Sequence, residues 1–484
     1  MVSRPGTVPT NLEHFTGRTW LLPLLLGWLG RRKERVVLLT GHAGTGKSTV
    51  LSWLAGAGSV PVKPDHASQL EHLAAQVGAT HFCDAAGGAT DPRAFARNVA
   101  RQLSDNVPGF GKALRTGLED RVSITVYQQA SSLAEGSRMV GVLLENLNLD
   151  KLSGEDSFNR LFRVPLQTLY NEGYDQPLIL LVDALDEALT YTGDVTLVEL
   201  LGRLADLPEQ VRLILTTRPD PRVLKWYPEA KPINLVADAP PDSDDVRDYV
   251  YQRLQTLNPS DRELLTDRIA QAAQGIFLYA RLILDDLLPR HSGTIGLEAL
   301  RLPPGLPGLY HQFLNRELGR NENRWYDVFQ PLLGVLAVAQ GAGLSREQVE
   351  RVVRQDVELA LRVAAQYLSG FPKGPFRIFH RSFEEFLLED AENTDYHIDA
   401  ASMHRRIVTS YQRSYRDRWG EIDEYGIQHL LRHLLLVDHG GRLGTIKNDE
   451  YAIRHLFSHV LAAGTPEVIG EIVGLADPSD PQSR

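Results

Sequence analysis

Cysteine is nearly absent: Cys83 is alone among 484 residues. No intramolecular disulfide and no thiolate zinc site can therefore form, which fits a reducing compartment, and a cytoplasmic protein is expected. Long apolar runs are absent too. The stretch Leu21 to Leu29 is about half of what a membrane helix needs and is interrupted by Pro23 and Gly27. It also starts late, without a basic segment before it, so it reads as a buried helix rather than a leader or an anchor. Positive charge is in deficit: 51 Lys and Arg against 61 Asp and Glu give a net charge of −10. That balance disfavours a chain whose main task is non-specific nucleic-acid binding. The 43% hydrophobic and 23% charged shares are those of ordinary globular protein, and the length suggests two to four domains.

The chain is organised around Val36-Val37-Leu38-Leu39-Thr40-Gly41-His42-Ala43-Gly44-Thr45-Gly46-Lys47-Ser48-Thr49. An apolar β-branched run breaks into glycines and resumes as a helix, as a P-loop requires. Gly41, Gly44 and Gly46 let the backbone turn so that N–H groups and a helix N-terminus surround phosphate. Lys47 is placed to reach the β- and γ-phosphates and Ser48 to ligate Mg²⁺, with Thr45 and Thr49 beside them. His42 reads as a spacer.

Further apolar runs predict the rest of a parallel sheet. Ala79 to Cys83, Pro177 to Asp183 and Val211 to Thr217 read as strands, with Pro232 to Leu235 as a short edge strand. Helices are expected from Ser68 to Val77, after the Asp91-Pro92 cap, from Phe158 to Tyr170 and from Val195 to Leu204. Residues 106 to 156 have a weak pattern and suggest a strand-containing insertion and a loop. After Pro240-Pro241 the strands stop, and Asp244 to Leu257 and Arg262 to Leu288 are helical patterns. A Pro- and Gly-rich junction from Leu302 to Gly308 follows. Beyond it, capping boxes at Ser345/Gln348 and Ser382/Glu385 flank the short strand Phe376 to Phe379, suggesting a winged helix. Finally Tyr425 to Leu434 is echoed by Tyr451 to Val460, which suggests stacked helical units.

Asp183, Asp186 and Glu187 lie just past a buried strand, where they would face phosphates on the P-loop. Asp183 is the candidate Mg²⁺ acid, and Asp186 and Glu187 are candidates to orient or deprotonate water. Arg218 ends the next strand as a candidate γ-phosphate sensor. The pairs His429/His433 and His455/His459 have the i, i+4 spacing of metal ligands, but no third ligand accompanies them, and helix packing is the better reading. A lone histidine such as His380 at a strand end is ordinarily a hydrogen-bonded core residue.

Together the P-loop, Asp183-Ala184-Leu185-Asp186-Glu187, Thr216-Thr217-Arg218-Pro219 and His380-Arg381-Ser382-Phe383 resemble the STAND class of signalling P-loop NTPases, of the NACHT type found in innate-immune receptors. The resemblance covers about residues 12 to 395. It implies an α/β P-loop NTPase with an AAA+/STAND-like parallel sheet, followed by a small helical domain, a winged-helix domain and C-terminal helical repeats. The expected boundaries are an arm at 1–14, the nucleotide domain at 15–237, the helical domain at 238–300, the winged helix at 301–395 and the helical region at 396–484. Phe15, Gly17 and Arg18 resemble the segment lying against adenine, Gly41 to Ser48 the phosphate loop, Asp183 the magnesium acid, Asp186 and Glu187 the hydrolytic acids, and Arg218 sensor 1. His380 falls where a winged-helix histidine contacts the β-phosphate of ADP. The implied activity is a slow ATP hydrolase that switches from a closed ADP state to an ATP-bound homo-oligomer, in defence or stress signalling. Effector and sensor modules are expected to be absent, supplied by a separate protein, or parts of a longer receptor of which this chain is a piece, with no membrane partner. A DNA-associated ATPase with a DNA-binding winged helix is the rival reading, and a nucleotide-binding scaffold without turnover is another.

Overall fold

The computed structural model describes residues 16–118, 152–318 and 322–437, except 32, 58–63, 86, 192, 241–242, 289–301, 416–417 and 419–420. Phe15 and the second helical echo at 451–460 lie outside the described residues. The rest forms two compact units, one up to Leu284 and one from Asp285.

In the first unit β1 (Val36–Thr40), β2 (Val77–Phe82), β3 (Leu178–Asp183), β4 (Val211–Thr217) and β5 (Ile233–Asn234) form a parallel sheet in the order β2-β3-β4-β1-β5. The sheet is apolar on both faces because successive side chains alternate between two cores. Leu178, Leu180 and Val182 of β3 join Phe95, Phe158 and Phe162 in one. Ile179 and Leu181 join Leu21, Leu25, Val50 and Trp53 in the other. The register sets Thr40 beside Thr217 and Val182 beside Leu215, so the P-loop and the carboxylates beyond β3 flank the end of β4.

The apolar stretch at Leu21–Leu29 is a helix buried beside β1, as expected. Its C-terminal carbonyls are gathered by an unexpected residue. Arg212 of β4 is only 5% exposed. Its Nη1 donates to the carbonyls of Trp28 (3.0 Å), Arg31 (3.1 Å) and Glu34 (3.1 Å), and the guanidinium lies over the Trp28 ring. Arg212→Met should therefore lower the stability of this unit by about 1–3 kcal/mol, chiefly by leaving the buried Trp28 carbonyl without its donor. Urea unfolding followed by tryptophan fluorescence measures it; an unchanged midpoint would show that solvent satisfies those carbonyls.

The insertion expected after residue 106 is helical where described, at Phe110–Leu118, because Phe110, Ala113 and Leu114 share a buried face. Asp245–Arg253, Pro259–Ala273 and Phe277–Leu287 are the helices that follow the sheet. The last two are separated by Gln274 and Gly275, at φ 48° and 81°.

In the second unit, helices Gly305–Leu318 and Gln330–Ala337 precede a bridge between Leu344 and Phe376. Helices Arg346–Val353 and Glu358–Val363, the antiparallel pair β6 (Leu368–Ser369) and β7 (Arg377–Ile378), and helix Arg381–Leu388 complete the segment. The Ser345/Gln348 capping box forms as expected. The second does not: His380 is the N-cap, and Ser382 lies inside the helix with its N–H donating to His380 Nδ1 at 3.1 Å. Helices Ala400–Tyr415 and Glu424–Leu436 pack together through histidines. His404 Nδ1 meets His433 Nδ1 at 2.7 Å, and His433 Nε2 meets the Tyr425 hydroxyl at 2.8 Å. His429 sits against Gly341, where an added Cβ would come within 2.5 Å of Nε2. These rings pack helices, the reading preferred over metal ligation. Among the described residues no group of three His, Cys, Asp or Glu side chains is gathered for a metal, and no helix is long and apolar enough to cross a membrane.

Candidate functional site

The loop between β1 and the Lys47–Leu54 helix turns through Gly44 and Gly46, whose φ values of 78° and 88° favour glycine. Gly41 is needed for space instead, because an added Cβ would stand 2.5 Å from Thr45 Oγ1. Thr45 Oγ1 donates to the His42 carbonyl at 2.9 Å. Lys47 Nζ donates to the carbonyls of Gly41 (2.7 Å) and His42 (3.0 Å). Burial lowers the pKa of this ammonium, while Asp186, Asp183 and Glu187 counter the shift. Ser48 and Thr49 follow in the first helical turn, half-buried.

Asp183 ends β3 buried, and burial raises its pKa against hydrogen bonds from Ser48 and Thr216 and the charge of Lys47. Thr216 is its close partner and also accepts from Ala184 N–H at 3.0 Å. Ala184 has φ 51°, so the chain turns sharply here. Past the turn the two acids diverge. Asp186 leans toward β4, accepting from Arg218 N–H at 3.1 Å and pairing with Arg218 Nε at 3.4 Å. Glu187 leans toward β2, with Oε2 accepting from Ala85 N–H at 3.0 Å. Lys47, Ser48, Asp183, Asp186, Glu187 and Arg218 thus share the C-terminal edge of β1, β4 and β3.

Gly17 and Arg18 lie behind the loop. Arg18, only 3% exposed, donates Nη2 to the Thr45 carbonyl at 3.1 Å, donates Nη1 to the Leu235 carbonyl, and pairs with Asp245. Sequence reasoning missed Asp245, which lies 227 positions from Arg18. It also missed that Leu278 N–H donates to the Gly44 carbonyl at 3.1 Å. The Gly275-Ile276-Phe277-Leu278 run was the available signal for the latter; nothing local marks Asp245. His380 lies in the second unit. Its Nδ1 is 2.7 Å from Ser382 Oγ, which is 2.8 Å from the Tyr310 hydroxyl.

Residues 14–215 match the family model described as AAA ATPase domain. No curated protein matches the sequence. Among solved structures, the chain is similar to the Signal Transduction ATPase with Numerous Domains (STAND) protein with a tetratricopeptide repeat sensor from Pyrococcus horikoshii. The TM-score is 0.45 and the identity 15%, over 96% of this chain and 54% of that one. The chain thus spans about half the length of that protein. By its sheet and loop the first unit has the α/β P-loop NTPase fold, and most of it is similar to an AAA ATPase domain.

Proposed function

We propose that the chain is a STAND-type switch of the NACHT kind that binds ATP and ADP with Mg²⁺ and hydrolyses ATP slowly. The observation that carries this reading is the convergence of Lys47, the Ser48–Asp183–Thr216 set, the Asp186–Arg218 pair and Glu187 on one edge of the sheet. Ser48 and Asp183 are hard oxygen donors suited to Mg²⁺, and two protein ligands fit an ion that takes its remaining oxygens from phosphate and water. A bound Mg-nucleotide supplies a phosphoanhydride whose negative charge is spread over the γ-phosphate oxygens. Lys47 exchanges two loop carbonyls for phosphate oxygens, which offsets the cost of its burial. Arg218, held by Asp186, faces the terminal phosphate, and Glu187 orients water.

The order helix, bridge strand, two helices, strand, turn and strand from 330 to 378 supports the winged-helix reading. Within it, His380 Nδ1 accepts from Ser382 N–H, so a neutral ring would carry its proton on Nε2. We assign His380 the β-phosphate of ADP in a closed state, with ATP favouring homo-oligomers that engage a separate effector or sensor in defence or stress signalling. The DNA-binding alternative gains no support from helix Glu358–Val363, where Arg362 and the nearby Arg346 both pair with Glu358.

Mass measurement of the purified protein tests the switch. ADP is expected to hold a monomer, a non-hydrolysable ATP analogue to drive assembly, and His380→Leu to assemble without it. One mass under both nucleotides, with no nucleotide retained, overturns the reading.

A further inference from the structure

We infer that Arg18 is a positioning residue that fixes the phosphate loop from behind, rather than a contact to the base; this rests on nucleotide binding at that loop. Both terminal nitrogens of the guanidinium are occupied by protein, while the buried Nε makes no hydrogen bond. The terminal nitrogens reach the carbonyls of Thr45 and Leu235 and the Asp245 carboxylate, and Cζ lies 5.2 Å from the centroid of the Phe277 ring.

The backbone around Arg18 is shaped for this role. Gly17 and Arg18 both have left-handed φ, 80° and 59°, which is costly for arginine. The turn is held by Asp245, whose Oδ1 accepts from Arg18 N–H at 2.9 Å and whose Oδ2 accepts from Trp20 Nε1 at 3.2 Å. A Cβ on Gly17 would stand 2.5 Å from that carboxylate. Only glycine lets Asp245 seat so closely, and only that seat points Arg18 at the loop.

Two consecutive loop carbonyls are tied from this side: Gly44 by Leu278 N–H and Thr45 by Arg18. In a planar trans peptide the C=O and the next N–H point in opposite directions. Holding the Thr45 carbonyl therefore turns the Gly46 N–H away from Arg18. Phe277 and Leu278 close the brace, since a Cβ on Gly46 would be 3.7 Å from Phe277 Cδ2 and one on Gly44 would be 2.7 Å from Leu278 Cβ. The loop is thus oriented by the helices that follow the sheet as well as by its own glycines.

The test compares wild type, Arg18→Met, Arg18→Lys and Asp245→Asn by amide hydrogen exchange without nucleotide and by titration with ADP and with magnesium pyrophosphate. Arg18→Met should speed exchange of the 41–46 amides about tenfold or more while leaving β3 and β4 unchanged. It should weaken ADP and pyrophosphate by the same factor, about tenfold or more, because the phosphate loop is the part of the site that both ligands share. Arg18→Lys, which keeps the charge but loses the fork, should fall between. Asp245→Asn should repeat the exchange result with Arg18 present, and serves if Arg18→Met does not fold. Unchanged exchange, or loss of ADP with pyrophosphate binding intact, overturns the inference. Binding of neither ligand by wild type would instead sink the nucleotide reading, and the exchange comparison would still decide the brace.

Discussion

Glu187→Gln is expected to slow phosphate release from ATP at least about a hundredfold while changing ADP affinity by less than about threefold. The two acids past β3 are alike in sequence and differ in attachment. Asp186 is engaged at both oxygens by Arg218, through its N–H and its Nε. Its role is to hold an arginine at the end of β4. Glu187 is tethered through Oε2 to Ala85 N–H on the other side of β3. Glutamine preserves that acceptor and removes the carboxylate, so the tether survives while the charge proposed to orient or deprotonate water is lost. Asp186→Asn should cost less, about tenfold, by loosening Arg218. Phosphate release and ADP titration on both variants separate the roles; equal losses, or a larger one at Asp186, would transfer the water-activating part to Asp186.

The contrast between these acids shows where a single sequence stops being informative. Strands buried on both faces announce themselves as apolar runs, and β1, β3 and β4 lie where those runs are. The P-loop is equally plain, because its glycines, lysine and serine are contiguous. Boundaries slip where local signals conflict. The helix expected at Ser68 to Val77 spans Pro64–Ala74, and the strand after it begins at Val77, because Gln102 and Asn106 of the following helix draw Thr80 and Gly78 into β2.

His380 shows a competition between two caps. Ser382 and Glu385 satisfy the pattern of a capping box, but the imidazole two residues earlier takes the Ser382 N–H, and Glu385 pairs with Arg381 instead. The attachments of Arg18, itself a candidate from the resemblance, and of Arg212 are illegible in the sequence for another reason. Each arginine is a buried cation whose partners come from distant segments, Arg18 from Thr45, Leu235 and Asp245, and Arg212 from Trp28, Arg31 and Glu34. Only the fold reveals that such arginines are enclosed.

Acidification from pH 7.5 to 4.5 should destabilise both units through neutral, buried imidazoles. His81 is one. Burial lowers its pKa to about 4; Nε2 is 2.8 Å from the Ala89 carbonyl and Nδ1 is 3.3 Å from Asn98 Nδ2. In the second unit burial takes His404 and His429 to about 4 and His433 further down. The His404–His433 contact needs one ring nitrogen to donate and the other to accept, so it fails when both are charged. An unfolded imidazole titrates near pH 6.5. Between about pH 6.5 and 4 the unfolded chain therefore binds more protons than the folded one, and stability falls as pH falls; above 6.5 the contribution is fully present, and below 4 the loss is complete. For His81 the full window corresponds to about 3 kcal/mol, with most of it reached by pH 4.5. Urea unfolding of wild type, His81→Asn and His404→Gln across this range checks it. Each variant should start less stable at pH 7.5 and show a flatter slope, whereas carboxylate protonation acts equally on all three. Parallel curves for wild type and variants would mean that these rings are solvated, and the histidine packing of the second unit would then have to be abandoned.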